Sequence, residues 1–289
     1  LIRKDIIVGH KMSVNCIDYY NATLYSGSRD MSFCIWDIFE KKLQIKYNTC
    51  YDSITGIKYS KYHYLHKRED TAIMSYGNYI SIYDIKSKKI SESCKLSRYG
   101  VHDIAISSFN DGQYVCAATF DKNIKLVNLV TKKISQFDGH MGSVWSIDFS
   151  PLNTKEIFKG HEGNVLNVRY PSCGPNINEF AATIISGSSD KTMRLWDVRS
   201  GTQICVFKGH QHFVTAVEYI PYFNNVIDGG CVICSASADE HIFFWDIGMN
   251  KILNKIKANS GIRCMKLLGS NKGSEICCGF DDGKIIIFG

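Results

Sequence analysis

The sequence predicts an all-β protein that is assembled from repeats, and three observations support this. A short apolar pattern recurs along the chain, a turn and a strand that ends in an aromatic residue follow most copies, and a Gly-His pair precedes several of them. Segments such as residues 192–196 and 242–245 are rich in strand-forming residues and are bounded by turn residues. Helical periodicity is absent from every long segment of the sequence.

The first pattern consists of an apolar residue, two further residues, a second apolar residue, one more residue, and a third apolar or aromatic residue. Its seven copies predict seven first strands, one for each repeat. The copies begin at Val14, Ile54, Val101, Val144, Val165, Val214 and Ile262.

The second pattern is most complete in three stretches, each of which combines His, Ser, Asp and Trp at matched spacing. In each stretch Ser precedes Asp by four positions and Asp precedes Trp by six positions. We call these sets tetrads: His10, Ser26, Asp30 and Trp36; His161, Ser186, Asp190 and Trp196; and His210, Ser235, Asp239 and Trp245. Weaker copies end at Tyr83, Val127 and Phe288.

These motifs resemble those of the WD-repeat family, and the resemblance covers essentially the whole chain. It implies a single domain over residues 1–289 with the fold of a seven-bladed β-propeller, in which each blade is a four-stranded antiparallel sheet. The last blade ends at its third strand, Lys284 to Phe288. We therefore expect the N-terminal strand, Ile2 to Val8, to supply the fourth strand and to close the ring.

The fourth repeat is incomplete in this sequence. Only 21 residues separate the first positions Val144 and Val165, whereas the other steps are 40 to 49 residues. About 25 residues near Asn153 and Thr154 have no counterpart, and 154–158 resembles an outer strand. A segment left out of the sequence, a deletion, or a smaller ring of six blades plus a hairpin would explain the gap. The survival of seven first strands favours omission or deletion.

The tetrads contain the residue types of a serine hydrolase, but their repetition favours a structural role. Catalysis needs one nucleophile beside an oxyanion hole, and no Gly-x-Ser-x-Gly motif accompanies any copy. The family resemblance implies instead that the four side chains form a buried hydrogen-bonded network in each blade. We therefore predict no catalytic residue and no enzymatic activity.

No cofactor or metal is expected from the sequence. Cys231 and Cys234 form a Cys-x-x-Cys motif within a predicted strand, where residues three apart face opposite sides and cannot hold one ion. His63 and His66 lie in a polar stretch without a nearby cysteine. Nucleotide-binding glycine motifs are also absent from the sequence.

The composition is that of a globular protein in a reducing compartment. Charged residues make up 21% and hydrophobic residues 45% of the 289 residues, and no apolar run is long enough to span a membrane. The twelve cysteines are irregularly spaced and many fall in apolar strand patterns, which favours free thiols and a cytoplasmic or nuclear location. The chain opens without a secretory signal or an initiator Met, so we expect it to be part of a longer protein.

The family resemblance implies binding at the top face, which is formed by the Gly-His loops and the turns just before the tetrad Asp. The candidate residues in those positions are Met12, Arg29, Phe120, Met141, Ser189, His212, Phe213, Ala238 and Asp281. Phe120, Phe213 and Met141 are the strongest candidates, because aromatic residues and Met are enriched at interface hot spots. Long hairpins predicted at 61–70, 171–180 and 221–230 define a second candidate surface on the opposite face.

The predicted function is that of a non-catalytic scaffold or adaptor within a multiprotein complex. Its partners are expected to be other proteins or peptides, bound by a monomeric propeller that has no contact with membranes. A propeller associated with RNA or ribonucleoprotein and a substrate receptor of a ubiquitin ligase are the alternatives. The net charge of +6 permits nucleic-acid contact, but the lysines are scattered along the chain.

Overall fold

The structure is a computed structural model that describes residues 3–49, 52–150, 158–171, 182–220, 232–270 and 273–289. The chain divides into two compact units, residues 8–149 and residues 1–7 together with 150–289. The described strands form six four-stranded sheets. The single domain over residues 1–289 stays a prediction.

The chain begins with strand β1 (Arg3–Val8), whose partner strands lie at the other end of the chain. Residues 8–149 then form three antiparallel sheets in sequence order. Sheet 1 consists of β2 (Val14–Tyr20), β3 (Thr23–Ser28), β4 (Ser32–Asp37) and β5 (Lys42–Asn48). Sheet 2 consists of β6 (Ile54–Tyr59), β7 (Thr71–Tyr76), β8 (Tyr79–Asp84) and β9 (Lys89–Lys95). Sheet 3 consists of β10 (Val101–Ile106), β11 (Tyr114–Thr119), β12 (Ile124–Asn128) and β13 (Ile134–Phe137).

The other unit also contains three sheets. Sheet 4 consists of β14 (Val165–Arg169), β15 (Thr183–Ser188), β16 (Thr192–Asp197) and β17 (Gln203–Lys208). Sheet 5 consists of β18 (Val214–Ile220), β19 (Val232–Ser237), β20 (His241–Asp246) and β21 (Lys251–Lys257). Sheet 6 consists of β22 (Ile262–Ser270), β23 (Gly273–Phe280) and β24 (Lys284–Phe288), and β1 is its fourth strand, next to β24.

A β-bulge near the start of the first strand occurs in all six sheets. In β2 the ladder passes from Val14 to Cys16, so that Asn15 has no ladder partner, and the same one-residue shift occurs at the start of each other first strand. The extra residue explains the apolar spacing in the sequence. Val14 and Ile17, three positions apart, are both buried although ordinary strand periodicity would separate their side chains onto two faces.

The bulged residue also links neighbouring sheets within a unit. Its side chain donates a hydrogen bond to the backbone carbonyl of the first residue in the next sheet. This contact is seen from Asn15 to Ile54 (3.0 Å), from Thr55 to Val101 (2.7 Å) and from Thr215 to Ile262 (2.6 Å).

The hydrophobic core lies between neighbouring sheets rather than inside any one of them. In the unit of residues 8–149, Ile73 and Ile82 of sheet 2 pack in one cluster with Val101 and Ile104 of sheet 3. In the other unit, one cluster joins sheets 5 and 6. A single sheet would leave a face uncovered, so each sheet depends on its neighbours for burial.

The predicted seven-bladed architecture, with an incomplete fourth blade, is wrong, because the structure shows six blades. Val144–Phe149 carries the apolar pattern of a first strand, but residues 139–150 form no strand. No strand in the described part of the chain pairs with this segment, so it has no ladder there. The predicted outer strand at 154–158 lies outside the described residues except for Phe158.

The segment 144–149 nevertheless packs against sheet 3 as a first strand would. The N–H of Val144 donates to the carbonyl of Thr119 (3.1 Å), and the N–H of Ile147 donates to the Asp103 carboxylate (3.3 Å). The same contact joins sheets 4 and 5, where the N–H of Val217 donates to Asn167 Oδ1 (3.0 Å). The first-strand pattern therefore indicates a segment that packs against the preceding sheet, whether or not it begins a new sheet. Counting its copies overestimated the number of blades.

The stretch 61–70 contains a short helix that the sequence did not predict. Helix α1 (Lys61–Lys67) follows β6, and a 3-10 turn at Asn110–Gly112 lies beside it, with His66 Nε2 hydrogen-bonded to Asp111 (3.1 Å). The hairpins predicted at 171–180 and 221–230 lie outside the described residues, apart from Pro171. Among the described residues, no helix reaches the length and hydrophobicity that crossing a lipid bilayer demands.

The contribution of β1 to sheet 6 can be tested with two neighbouring isoleucines. Ile7 is buried and Ile6 is 49% exposed. We expect Ile7→Ala to lower the free energy of unfolding by about 2–5 kcal/mol, because it removes a large apolar side chain from the core. Ile6→Ala is the matched control and should change little. Thermal melts measure both, and equal effects would show that β1 is not packed as described.

Candidate functional site

The tetrad of sheet 1 is a continuous hydrogen-bonded chain between the Gly-His loop and the sheet. The indole Nε1 of Trp36 donates to Ser26 Oγ (2.8 Å), and Ser26 Oγ lies 2.8 Å from His10 Nε2. The other ring nitrogen of His10 lies 3.3 Å from Asp30 Oδ1, and Asp30 Oδ2 also accepts the N–H of Lys11 (2.8 Å). The loop is thereby attached to the turn between β3 and β4.

Sheets 4 and 5 repeat this arrangement closely. In both sheets the Trp indole donates to the Ser hydroxyl at 2.8 Å, and the His Nε2 lies 2.7–2.8 Å from the same hydroxyl. The His Nδ1 lies 2.8 Å from Asp190 in sheet 4 and 2.9 Å from Asp239 in sheet 5. The residue after His donates its N–H to the same carboxylate, as Glu162 does at 3.1 Å and Gln211 at 2.7 Å.

The network assigns a neutral protonation state to each tetrad histidine. Ser Oγ accepts from Trp and donates its own hydrogen to His Nε2, so the imidazole proton resides on Nδ1 and points at Asp. Burial lowers the pKa of His10, His161 and His210, although the neighbouring carboxylates oppose this effect. Burial alone would raise the pKa of Asp30, but hydrogen bonds from Ser32 and the Lys11 N–H lower it to about 2.

The geometry supports a structural role for the tetrads, not catalysis. Ser26 and Ser235 have no solvent exposure and Ser186 has 3%. Each hydroxyl already has two partners, so no substrate can reach a serine oxygen in this arrangement. The tetrads therefore hold the loops in place.

The other three sheets have different residues in the tetrad positions. The ladder position of Trp36 is taken by Tyr83 in sheet 2, Val127 in sheet 3 and Phe288 in sheet 6. Among these, the Tyr83 hydroxyl is buried with no hydrogen-bond partner among the described residues. Among the six described sheets, the complete tetrad network is therefore present in sheets 1, 4 and 5.

The candidate top-face turns are all fixed by the same backbone hydrogen bond. The N–H of each turn residue donates to a carbonyl in the loop before the first strand of its own sheet, at 2.9–3.1 Å. The pairs are Arg29 with Ser13, Phe120 with Gly100, Ser189 with Asn164, Ala238 with Phe213, and Asp281 with Gly261. Side chains on these turns therefore project from a rigid base.

Four of the candidate residues are large and apolar, and all four are exposed. Phe120 is 44%, Phe213 43%, Met12 44% and Met141 93% exposed. Arg29 and His212 are also exposed, whereas Ser189, Ala238 and Asp281 are half-buried. Asp281 is paired with Arg263 at 2.5 Å.

Phe120 belongs to an aromatic stack that the sequence analysis missed. The His102 ring lies 3.8 Å from the Phe120 ring and 4.0 Å from the Trp145 ring, centroid to centroid. Burial lowers the pKa of His102 to about 4, so its ring is neutral near pH 7. His102 and Trp145 each directly follow a first position, Val101 and Val144, and this shared position is the signal that could have identified them. In the other unit Phe213 packs on His212 at 4.4 Å.

No metal centre is found among the described residues. They contain no group of three or more His, Cys, Asp or Glu side chains arranged to hold an ion. Nine described cysteines are free thiols. Cys231 of the Cys-x-x-Cys motif lies outside the described residues. His63 is buried and hydrogen-bonds Ser60 Oγ through Nδ1 (2.7 Å), while His66 is engaged with Asp111, so each histidine has its own partner.

The structural role of the tetrads predicts a specific cost for losing the serine. Ser186→Ala leaves the Trp196 indole and His161 without their shared partner, so we expect the free energy of unfolding to fall by about 1–3 kcal/mol. Ser200→Ala, at an exposed turn of the same sheet, is the control and should have little effect. Folded S186A should keep full partner binding, and loss of binding without loss of stability would contradict the structural role.

The lowered pKa values predict a direction for the pH dependence of stability. The folded protein binds protons more weakly than the unfolded chain at the tetrad His and Asp groups, so acid favours unfolding. The melting temperature should begin to fall as the pH drops below 6.5 and should fall further between pH 3.8 and about 2 as Asp30 is protonated. His161→Asn should make the slope below pH 6.5 shallower, whereas His140→Gln, at an exposed position, should leave it unchanged. Identical slopes in both variants would contradict the assignment.

The comparison with known proteins distinguishes the same three sheets, those with complete tetrads, from the other three. The family model for the WD domain, G-beta repeat (WD40), matches residues 3–37, 152–197 and 201–246, which are the three repeats with complete tetrads. Mitochondrial division protein 1 of Kluyveromyces lactis is 23% identical over 201 residues, which cover 66% of this chain and 27% of that protein. The chain thus spans about a quarter of that relative's length. The chain thus contains three segments that match the WD40 repeat model, and each of them carries the same hydrogen-bonded tetrad.

Proposed function

We propose that this protein is a non-catalytic scaffold that binds other proteins through its top-face turns and loops. WD40 propellers are generally protein-interaction scaffolds. The observation that carries the proposal is the exposure of Phe120 and Phe213 on turns and loops that backbone hydrogen bonds hold in place. Fixed aromatic side chains lose little conformational entropy on binding, and this makes them effective contact residues.

The aromatic stack strengthens this proposal in the unit of residues 8–149. A phenylalanine that is 44% exposed and packed on His102 already has a fixed ring orientation in the free protein. Trp145, 37% exposed, packs on the same histidine and also contacts Phe120, with ring centroids 5.9 Å apart, so it extends the apolar surface. A partner that covers these rings buries apolar area without first ordering them.

The free thiols support a cytoplasmic or nuclear location as part of the proposal. Cys34, Cys234, Cys277 and Cys278 are buried in the core as unpaired thiols. Burial raises the pKa of Cys34 to about 12 and keeps the thiol protonated and unreactive. Such cysteines act as small apolar core residues, which suits a reducing compartment.

The proposal is tested by a pair of charge substitutions in the two units. Phe120→Asp combined with Phe213→Asp should reduce the capture of partner proteins from a cell extract at least about tenfold, since buried aromatic residues dominate interface energies. Quantitative mass spectrometry of the captured proteins measures this loss. Circular dichroism melts should show that the variant remains folded.

The matched control introduces the same charges at the opposite end of the sheets. Phe39 (79% exposed) and Met249 (68% exposed) lie in turns between the third and fourth strands of sheets 1 and 5. Phe39→Asp with Met249→Asp should leave capture intact. Retained capture in the first variant, or an equal loss in both, would refute binding at the top face.

A further inference from the structure

Sheet 3 retains the tetrad aspartate but has lost the other members of the tetrad. Ala117 pairs with Lys125 in the ladder, as Ser26 pairs with Cys34, Ser186 with Arg194 and Ser235 with Phe243. Ala117 therefore occupies the position of the tetrad serine. Ser97 lies four residues before Val101, the place that His10 holds before Val14. A hydroxymethyl group thus stands where sheets 1, 4 and 5 have an imidazole.

An open groove of ≈ 630 Å³ lies beside Ser97 within the unit of residues 8–149. Asp121, Lys125 and Gln136 of sheet 3 line one side, and Lys95, Ser97 and Arg98 line the other. Ser97 Oγ accepts the N–H groups of Tyr99 (3.1 Å) and Gly100 (3.2 Å), so it fixes the loop and keeps its own hydrogen available for donation. The groove is therefore a formed feature with a fixed rim.

Lys125 is the unusual residue in this groove. It is only 9% exposed, although it carries a charge, and its Nζ donates to Gln136 Oε1, a neutral acceptor. Sheets 1 and 4 place a cation close to the tetrad carboxylate, with Lys46 3.6 Å from Asp30 and Arg194 3.7 Å from Asp190. Within the described chain, Lys125 has no such ion pair. A nearly buried ammonium with one neutral partner is stabilised when a carboxylate reaches it.

The charges around Lys125 favour an anion. Lys95 and Arg98 are exposed on the rim, and neither forms an ion pair with any described residue. Asp121 is the one carboxylate in the lining, and its Oδ1 already accepts a hydrogen bond from Thr119 Oγ1. Outside the lining, Asp138 accepts from Gln136 Nε2 (2.6 Å), so Gln136 stands between it and Lys125. Three cations and one carboxylate give the groove a net positive charge.

We infer that this groove binds a carboxylate side chain from an acidic segment of a partner protein. The carboxylate would accept hydrogen bonds from Lys125 and Ser97, with Arg98 and Lys95 flanking neighbouring acidic residues. The inference rests on the proposed scaffold function and names the chemistry of one partner. The groove lining retains one carboxylate, Asp121, and this favours an acidic peptide over a nucleic-acid backbone.

The probe for the experiment is a fluorescent Glu-rich peptide, compared with the same peptide carrying Gln in place of every Glu. Fluorescence anisotropy should show binding of the Glu-rich peptide alone, weakening with added salt. Lys125→Met keeps the apolar stem and removes the charge, and we expect it to weaken binding about tenfold or more. Arg98→Gln should weaken binding about two- to fivefold, as should Lys95→Gln, since both charges are exposed.

The control lies on the same strand as one of the rim cations. Lys95 and Lys89 are the two ends of β9, and only Lys95 lines the groove. Lys89→Gln should therefore leave binding unchanged. Ser97→His restores a ring in the vacant position and should abolish binding. If either core variant has a lowered melting temperature, the exposed Arg98→Gln and Lys95→Gln variants decide the result.

Three outcomes would overturn the inference. They are equal binding of the Glu and Gln peptides, equal effects of Lys95→Gln and Lys89→Gln, and tighter binding of a single-stranded oligonucleotide that depends on the same residues. Phe213→Asp, in the other unit, should leave peptide binding unchanged. If the peptide does not bind while Phe213-dependent capture is intact, only the groove proposal is refuted. If the peptide binds as expected but capture does not depend on Phe213, only the broader top-face proposal is refuted.

Discussion

The β-bulge at the start of each first strand is the constraint on which the rest of this fold depends. It appears in all six sheets, and in three of them the bulged side chain donates to the first carbonyl of the next sheet. In these three sheets the bulge therefore fixes the position of the sheet against the next one in the same unit, while it sets the local twist of the strand. His102 is the bulged residue of sheet 3, where no further sheet follows within its unit. Its ring packs against both Phe120 and Trp145 instead. The contact that joins sheets elsewhere has become an exposed aromatic surface.

The sheets differ in how they hold their loops, and this difference determines which sheets tolerate substitutions at the tetrad positions. In sheets 1, 4 and 5 one serine hydroxyl joins Trp and His, and one carboxylate joins His to the backbone. Such a network tolerates few substitutions, because each loss leaves a buried polar group without a partner. Sheets 2, 3 and 6 are free of that requirement. In sheet 3, Ser97 and Ala117 occupy the positions of the tetrad His and Ser, and Ser97 lines a basic groove together with Lys125.

Much of the fold could be predicted from the sequence, because the repeats carry it locally. The first strands and the tetrad residues follow from spacing and residue type, and the four-stranded antiparallel blade follows from the resemblance to WD repeats. The number of blades could not be predicted, because Val144–Phe149 docks on sheet 3 with the contacts of a first strand and needs no ladder of its own. Helix α1 was missed because seven residues are too few to show a helical period. The groove was missed because Lys125, read along the chain, is one more lysine, and only the ladder shows that it lies opposite Ala117.

The pairing of β1 with sheet 6 has a consequence for the synthesis of the protein. β1 leaves the ribosome long before β24, its neighbour in the sheet, so two strands that touch in the finished molecule are separated by the synthesis of residues 9–283. At typical elongation rates that interval is roughly a quarter of a minute to a minute. During it the nascent chain carries an unpaired strand with the apolar residues Ile6, Ile7 and Val8 exposed. Sheets 1 to 5 are local in sequence and can form as they emerge, whereas the sixth has the highest contact order and must form last. The N-terminal strand is thus the part of this chain for which protection by a chaperone matters most.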